Sequence, residues 1–499
     1  MPRRKISDLL SSNESTDGEP LKSKGRFDDN TVSATATEPP ISKSGIPSPA
    51  PFDLAYPNVA IQNTSQNSVP FQQPTPLTSF SYTPEHVQVF DDSALRYFCS
   101  PPRNAHLGYG YERWIRRPEE RSRIDSLLRA VDRITDGQHK KMNLEDIGVV
   151  AWRGVLTREG WCMNVMLING TLYLEEHRTE SQLVEKNDIK PHHRKMMYYG
   201  YAFESYCTTE IKNTSHSKAA PTRYNAHPDS QSGWGGDVNT NVQWCSIVRT
   251  KLGGTRLVIG GEVDCSDGVH KCPHPRLTPD AGLLIFTGEY KGTTDTFVEL
   301  KTSLAIRGAA DEEKFERKLL KFYFQSFLLG VPKIVVGFRT PTGQLTSTQS
   351  FQTISIPRMM RERRHGKTSV PWDPSLCLTW GNQFLAYLKQ TLIRGESDDA
   401  PDHEKSAEFS IKEQSGCDDS TISAQIWRVN FLPGEGVRLV KLDKPATDEV
   451  VNGEDRVGFI PRWYWDKLKS TAAHTNHGDI VRGTITEQPV QSAVGGWRI

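Results

Sequence analysis

The chain has 499 residues, of which 36% are apolar and 24% are charged, and 61 Lys and Arg balance 60 Asp and Glu to a net charge of +1. That length allows a large hydrophobic core and about three domains of average size. The balanced charge excludes a protein that binds nucleic acid mainly through an overall basic surface, so any such site must be local. Eight cysteines without a Cys-x-x-Cys pair exclude a disulfide-dense secreted domain and favour reduced thiols.

The beginning of the chain is poor in apolar residues. Residues 1–78 are rich in Pro, Ser, Thr, Asn and Gln, a composition that predicts a disordered N-terminal arm. The basic start Met1–Lys5 is a weak indication of a nuclear address, and the nucleus is the location that we expect. The first thirty residues lack the apolar stretch of a secretory signal, and no later apolar run is long enough to span a bilayer, so we expect no membrane association.

A single α/β domain is predicted for residues 79–470. Apolar residues recur at helical spacing over 119–134 and over 311–330, and this spacing predicts two amphipathic helices. Short apolar runs bounded by turn-forming residues predict strands. These strands are expected at 171–175, 257–265, 283–287, 296–306, 333–338 and 427–431.

The second half of the chain contains an acidic stretch. Residues 396–420 hold nine acidic and two basic side chains, which predicts an acidic loop insertion at the surface. An aromatic packing segment is expected at 457–465. Residues 471–499 lack periodicity and are predicted to form a flexible C-terminal tail.

Acidic side chains interrupt apolar runs in three places. The two-residue period of a strand puts Glu262 and Asp264 on one face, and it puts Glu299 beside Lys301 in the same way. Glu204 is the only acidic or basic residue, apart from histidine, between positions 196 and 209. A carboxylate in such apolar surroundings needs a partner.

Convergence of these carboxylates would require a cation. Two like charges at about 4 Å repel by roughly 4 kcal/mol at an effective dielectric near 20. Ligands that are all oxygen favour Mg²⁺ or Mn²⁺ over zinc, and these ions usually bind substrate phosphate as well. The pattern therefore predicts metal-dependent phosphate chemistry.

Three further residues fit such a site. Lys301 is placed to orient a water or to stabilise charge that develops on a phosphate. Gln325 falls on the inward stripe of the helix at 311–330, where its amide can hold a water or simply be satisfied in the core. Arg153 lies within an apolar run, and its guanidinium suits either a phosphate or a buried ion pair.

Other motifs are less informative. His270, Cys272 and His274, together with the nearby Cys265, have no fourth zinc ligand at a familiar spacing, so a loop is favoured there. The basic clusters at 113–123 and 358–367 are solvated faces by default, although either can guide an RNA backbone.

The acidic and basic motifs occur in a familiar order. Arg153, Gly200–Glu204, Gly261–Asp264, Glu299–Lys301 and Gln325 resemble the motifs of a family of decapping nucleases. That family includes the fungal nuclear partner of the Rat 5′-to-3′ exoribonuclease and the mammalian decapping exoribonuclease. The resemblance extends from about residue 79 to residue 465.

The resemblance implies an α/β (α+β mixed) fold of two packed mixed β-sheets flanked by helices, with the Asp and the Glu-x-Lys motif on adjacent strands. It also implies a metal-dependent RNA 5′-end hydrolase that removes pyrophosphate from triphosphate ends, incomplete guanosine caps and nicotinamide-dinucleotide caps. The expected partners are RNA 5′ ends and a nuclear 5′-to-3′ exoribonuclease.

The same resemblance assigns a role to each candidate residue. Mg²⁺ or Mn²⁺ would be bound by Glu204, Asp264, Glu299 and the main-chain carbonyl of Leu300, with Glu262 serving a second ion or its waters. The catalytic residues would be Lys301, Gln325 and Glu262, and the substrate-binding residues Arg153, Lys301 and Gln325.

Two alternatives stay open. The segment 153–161 looks shorter than its counterpart in the family, so the chain can also be a largely non-catalytic protein that stabilises the exoribonuclease. The intact carboxylate set favours the enzyme. A DNA nuclease with the same Asp and Glu-x-Lys core would leave Glu204 and Gln325 unexplained.

Overall fold

The computed structural model describes residues 54–57, 69–157, 162–209, 233–267, 292–362, 373–397, 425–432 and 434–478. Several predictions concern residues outside these ranges: the strand at 283–287, the candidate zinc ligands at 270–274, and nearly all of the acidic insertion. None of the helices within the described ranges is both long and apolar enough to cross a membrane.

Two mixed β-sheets form the body of the protein. The larger has ten strands, in the spatial order β1 (Leu54–Ala55), β16 (Gly436–Lys441), β15 (Trp427–Leu432), β6 (Cys162–Ile168), β7 (Thr171–His177), β5 (Val149–Trp152), β10 (Thr255–Glu262), β9 (Gln243–Leu252), β2 (Thr75–Tyr82) and β3 (Gln88–Val89). The smaller has six, in the order β14 (Leu345–Gln352), β13 (Lys333–Arg339), β12 (Phe297–Leu304), β11 (Cys265–Ser266), β4 (Tyr97–Phe98) and β8 (Thr208–Thr209). A short ribbon joins β17 (Arg456–Val457) to β18 (Ile460–Pro461).

Nine helices of the described ranges pack around the sheets. They are α1 (Asp125–Thr135), α2 (Arg153–Thr157), α3 (Glu180–Asn187), α4 (Pro191–Cys207), α5 (Ala309–Phe327), α6 (Ile356–Glu362), α7 (Pro374–Ser397), α8 (Lys444–Val451) and α9 (Arg462–Gly478). Two mixed sheets with flanking helices are the predicted architecture, which is therefore confirmed.

The alternation of side chains along the strands divides the apolar residues into layers. Ile259 of β10 and Val336 of β13 face a shared core that also contains one side of α5. On the other face of the large sheet, Val258 of β10 packs with α1 and α9. On the other face of the small sheet, Leu300 of β12 packs with α4. Both sheets are thus covered on both faces.

The helix predicted over 119–134 begins later than expected, at Asp125. Two side chains hold the preceding residues in a non-helical path. Glu175 Oε2 accepts the main-chain N–H of Ile124 at 3.0 Å. Asn187 binds both the N–H and the carbonyl of Glu119, each at 2.9 Å. These contacts are made across the fold, so helical spacing alone does not reveal the boundary.

The folded body is longer at both ends than predicted. Residues 1–78 were expected to form a disordered arm, yet Leu54–Ala55 pairs with β16 and β2 starts at Thr75. The flexible tail was expected from residue 471, yet α9 continues to Gly478. β1 has only two residues, and polar residues weaken the apolar signal of β2, so pairing with neighbouring strands stabilises both.

Candidate active site

The chain crosses from one sheet to the other at the predicted acidic motif. Strand β10 of the large sheet ends at Glu262, and β11 of the small sheet begins at Cys265. Val263 is buried in the shared core, while Glu262 and Asp264 face a cleft of about 760 Å³ between the two sheets. The single strand predicted for 257–265 is therefore wrong, but its consequence, two carboxylates facing one space, holds.

The Glu-x-Lys motif lies directly beside Asp264. Because Cys265 of β11 pairs with Val298 of β12, Asp264 meets the start of the motif, and its Oδ2 accepts the N–H of Leu300 at 2.6 Å. The Lys301 ammonium donates to Glu299 Oε1 at 2.6 Å and to the Leu300 carbonyl at 3.2 Å. It also lies 3.7 Å from Asp264 Oδ2. One cation thus serves two carboxylates and a carbonyl oxygen.

Arg153 approaches the same group from the other side. It is the first residue of α2, directly after β5, and Gly261 leaves room for it because a Cβ there would lie 3.2 Å from the Cβ of Arg153. Its Nη1 donates to Glu299 Oε2 at 3.3 Å and to the main-chain carbonyl of Gln325 at 3.2 Å. Only 13% of the Arg153 side chain is exposed. The structure therefore contains the ion pair that was the competing interpretation of this residue.

Glu204 reaches the cleft from helix α4. The preceding residue, Phe203, is buried against Gly337 of β13, where a Cβ would lie only 2.4 Å from the ring. This close packing fixes the last turns of α4 against the small sheet and directs Glu204 towards Glu262 and Asp264. All three carboxylates line the same cleft.

Gln243 was not predicted to belong to the site. It is the first residue of β9, opposite Tyr82 of β2, and its Nε2 donates to Glu262 Oε2 at 2.9 Å. This contact orients the Glu262 carboxylate. The register of β9 against β10 puts Cys245 opposite Glu262, so only the side-chain hydrogen bond shows that Gln243 contacts this carboxylate.

The carboxylates differ in their electrostatic surroundings. Burial, with the repulsion of Asp264 added, raises the pKa of Glu262 to about 7. Burial and the neighbouring carboxylates raise the pKa of Glu204 well above its ordinary value, and burial also raises the pKa of Asp264. Burial acts in the same direction on Glu299, but Lys301 and Arg153 outweigh it and hold the pKa of Glu299 below its usual range. Lys301 and Arg153 thus outweigh the cost of burying the Glu299 charge, whereas no cation among the described residues fully offsets that cost for the other three carboxylates.

Lys301 stays charged in these surroundings. Burial on its own lowers the pKa of an ammonium group. Glu299 and Asp264 outweigh that effect and raise the pKa of Lys301. In the described part of the chain, no three His, Cys, Asp or Glu side chains are already gathered as a metal site. Lys301 and Arg153 supply the positive charge in this arrangement.

Of the predicted site residues, Gln325 has the least direct connection to the cleft. It lies on α5, as the spacing predicted, and it is linked to the group through its main-chain carbonyl. Its side-chain amide is not among the groups that line the cleft. Arg153, Glu299, Leu300 and Lys301 do not line the cleft either, and Leu300 and Lys301 reach it through their contacts with Asp264. The Leu300 carbonyl, by contrast, lies next to the Lys301 ammonium and the carboxylates.

Comparison with known proteins identifies the group of enzymes that carries this arrangement. A family model described as RAI1-like PD-(D/E)XK nuclease matches residues 72–465. The chain belongs to this family. It is therefore an enzyme of the nuclease class, and the resemblance drawn from the sequence motifs is confirmed.

Individual relatives agree with the family match. A protein of Mycosarcoma maydis named Decapping nuclease RAI1 is 34% identical over 469 residues, which cover 81% of this chain and 88% of the relative. The Rai1 structure of Candida albicans in complex with pU5 and Mn²⁺ superposes with a TM-score of 0.61 at 20% identity, covering 81% of this chain and 97% of that chain. The Rai1 structure of Scheffersomyces stipitis in complex with 3′-NADP⁺ and a calcium ion gives a TM-score of 0.59 at 19% identity, with the same coverage. Both structures have the same fold as this chain.

Proposed function

We propose that this enzyme is a divalent-metal-dependent hydrolase of RNA 5′ ends that leaves 5′-monophosphate RNA. Its substrates would be triphosphate ends, incomplete guanosine caps and nicotinamide-dinucleotide caps. The name of the Mycosarcoma maydis relative supports decapping, and the ligands of the two superposed Rai1 structures support a phosphorylated RNA or dinucleotide end.

The observation that carries the proposal is a group of three buried carboxylates that lie together in the cleft and whose ionised forms are disfavoured there. Glu204, Glu262 and Asp264 line one space, and the pKa of each is raised by burial and by repulsion from neighbouring carboxylates. Buried like charges are costly and serve no evident structural purpose. They fit a protein that binds a hard cation.

The donor set consists of oxygen atoms, which suits Mg²⁺ or Mn²⁺. When bound, such an ion lowers the pKa of a water and neutralises charge on the phosphoryl oxygens. The residues that would hold it are Glu204, Asp264, Glu299 and the carbonyl of Leu300, with Glu262 available to a second ion or its waters.

The other residues of the site would bind and orient the RNA. Lys301 and Arg153 balance the charge of Glu299 in this structure. The ammonium and the guanidinium would also be available to donate to oxygens of the scissile phosphate. The Gln325 amide would help to hold the attacking water. At a triphosphate end the bond that breaks is a phosphoric anhydride, and water supplies the new oxygen of the 5′-monophosphate.

A panel of substrates tests the proposal. Purified enzyme with Mg²⁺ or Mn²⁺ should release the end group from RNAs that carry a triphosphate, a guanosine cap or a nicotinamide-dinucleotide cap. Comparable cleavage of DNA without release from RNA would favour the DNA nuclease. A folded protein that acts on none of these would favour the non-catalytic stabilising partner.

The cellular setting is part of the same proposal. A 5′-monophosphate end is what a 5′-to-3′ exoribonuclease needs, so we infer that the enzyme acts in the nucleus with such a partner. The purified exoribonuclease should then degrade triphosphate RNA only when this enzyme is present and active. Degradation at the same rate with the Asp264→Asn variant would contradict this coupling.

A further inference from the structure

Arg117, Arg121 and Arg123 of the arginine cluster at 113–123 line the cleft, and the proposed function leaves them unexplained. Three arginines of the cluster other than Arg117 are paired with acidic side chains. Arg113 binds Asp237 at 2.7 Å, Arg121 binds Glu180 at 2.7 Å, and Arg123 binds Glu175 and Glu454 at 3.3 and 2.7 Å.

Arg117 differs from the other arginines of the cluster that line the cleft. Within the described residues, the one side-chain contact of its guanidinium is with Glu120 Oε2 at 3.5 Å, the outer limit of a hydrogen bond. At this distance the ion pair stabilises little. A guanidinium has five N–H donors. Most of the donors of Arg117 are therefore available to a ligand.

The main chain holds Arg117 in place. Its own N–H donates to Thr240 Oγ1 at 2.8 Å. Two residues later, both polar groups of the Glu119 main chain are bound by Asn187. These contacts fix the main chain from which the Arg117 side chain projects into the cleft.

Arg117 lines the same cleft as Glu204, Glu262 and Asp264. Burial raises the pKa of Tyr82 to about 12, and the positive charge of Arg117 opposes that rise. Tyr82 is opposite Gln243, the residue that binds Glu262. Arg117, Tyr82, Gln243 and Glu262 all line the same cleft. A substrate bound at the carboxylates would pass this guanidinium.

We propose that Arg117 binds a second phosphate of the RNA, beside the phosphate that is held at the carboxylates. The inference rests on the proposed function. A planar guanidinium can bind a phosphate through two parallel hydrogen bonds, and Arg117 lines the same cleft as the three carboxylates. The second phosphate belongs either to the 5′ leaving group or to the nucleotide that follows the scissile bond.

The first test measures RNA binding in the Asp264→Asn background, which prevents hydrolysis. The probe is a fluorescent single-stranded RNA, and its affinity is measured by anisotropy at several salt concentrations. Arg117→Ala should weaken binding about tenfold and reduce the slope of log affinity against log salt by about 0.7 to 1. Arg117→Lys keeps the charge, so it should retain the slope while it loses part of the affinity.

The matched control is Arg317→Ala. Arg317 is 76% exposed, is paired with Glu313 one helical turn away, and does not line the cleft. Its removal changes the net charge by the same amount. A loss of RNA affinity that is equal in Arg117→Ala and Arg317→Ala would overturn the proposal, because it would reflect net charge alone.

RNAs with a triphosphate or a monophosphate 5′ end distinguish the two phosphates that Arg117 can bind. If Arg117 binds the leaving group, the defect of Arg117→Ala should be larger for triphosphate RNA than for monophosphate RNA. If it binds the following nucleotide, the defect should be equal for both ends. Affinity and salt slope identical to those of the parent protein for both RNAs would overturn the proposal.

A kinetic test separates this inference from the proposed function. In otherwise wild-type enzyme, Arg117→Ala should raise KM about tenfold and leave kcat within about twofold. If the wild-type enzyme is active and the variant has an unchanged KM, only the proposed role of Arg117 is rejected. If the wild type proves inactive, the proposed function fails, and the binding measurements still decide the role of Arg117.

Discussion

Replacing Glu262 by Gln should stabilise the metal-free protein, and the gain should grow with pH. Burial and Asp264 raise the pKa of Glu262 from 4.5 to about 7. The folded state therefore holds this proton more tightly than the unfolded state does. The resulting contribution to stability is complete below pH 4.5 and is lost as the pH rises through about 7. At about 1.4 kcal/mol per pKa unit, the wild type loses roughly 3 kcal/mol that the amide variant keeps.

Urea unfolding in the presence of a chelator measures this difference. The free energies of unfolding of wild type and Glu262→Gln should be close at about pH 5 and should separate by roughly 3 kcal/mol at about pH 8. The amide keeps an oxygen that can accept the hydrogen bond from Gln243, so the packing is preserved. A separation that is the same at both pH values, or a wild type that is the more stable at the higher pH, would refute the reasoning.

Glu299→Gln is the matched control, with the opposite sign. Lys301 and Arg153 hold the pKa of Glu299 below its usual range in spite of burial. A carboxylate of this kind contributes stability above its ordinary pKa, and that contribution is lost as the pH falls. Its removal should therefore cost stability at neutral pH. The simple expectation that removal of any one carboxylate relieves repulsion applies to Glu262 and not to Glu299.

Three further outcomes are expected. Asp264→Asn should abolish end-group release, and a chelator should do the same to the wild type until Mg²⁺ or Mn²⁺ is restored; full activity of the variant would contradict the role of Asp264. Gln243→Leu should weaken Mn²⁺ binding in calorimetry about tenfold, because Glu262 loses the group that orients it; an unchanged affinity would remove Gln243 from the site. Gly337→Ala should lower stability by about 1 to 3 kcal/mol in thermal unfolding, because its Cβ would overlap the ring of Phe203; an unchanged melting temperature would show that the ring can move.

The longer strands of the core could be predicted from the sequence. β7, β12 and β13 each contain a short run rich in apolar residues, interrupted in β12 by Glu299 and Lys301, and each lies within a few residues of its predicted position. β9 has an alternating polar pattern and was not predicted. β11 has only two residues, too few to give a strand signal in the sequence, and its pairing with β12 stabilises it.

The acidic residues of the site could also be predicted, because a carboxylate within an apolar run is unusual whatever the fold. Their arrangement could not. Glu262 and Asp264 meet because the chain changes sheets between them, and not because they share one strand. Gln243 depends on strand pairing, and the pairing of Arg153 with Glu299 depends on a contact between residues 146 positions apart. Such contacts leave no local signal in the sequence.

The most direct test compares wild type with the Glu262→Gln/Asp264→Asn double variant in an end-group assay. Both proteins are incubated with Mg²⁺ or Mn²⁺ and with RNA that carries a triphosphate or a capped 5′ end, and the released group and the RNA length are analysed. We predict that the wild type alone releases the end group and leaves a 5′-monophosphate RNA. Equal release by both proteins, or no release by a folded wild type, would contradict the assignment of this cleft as the catalytic site.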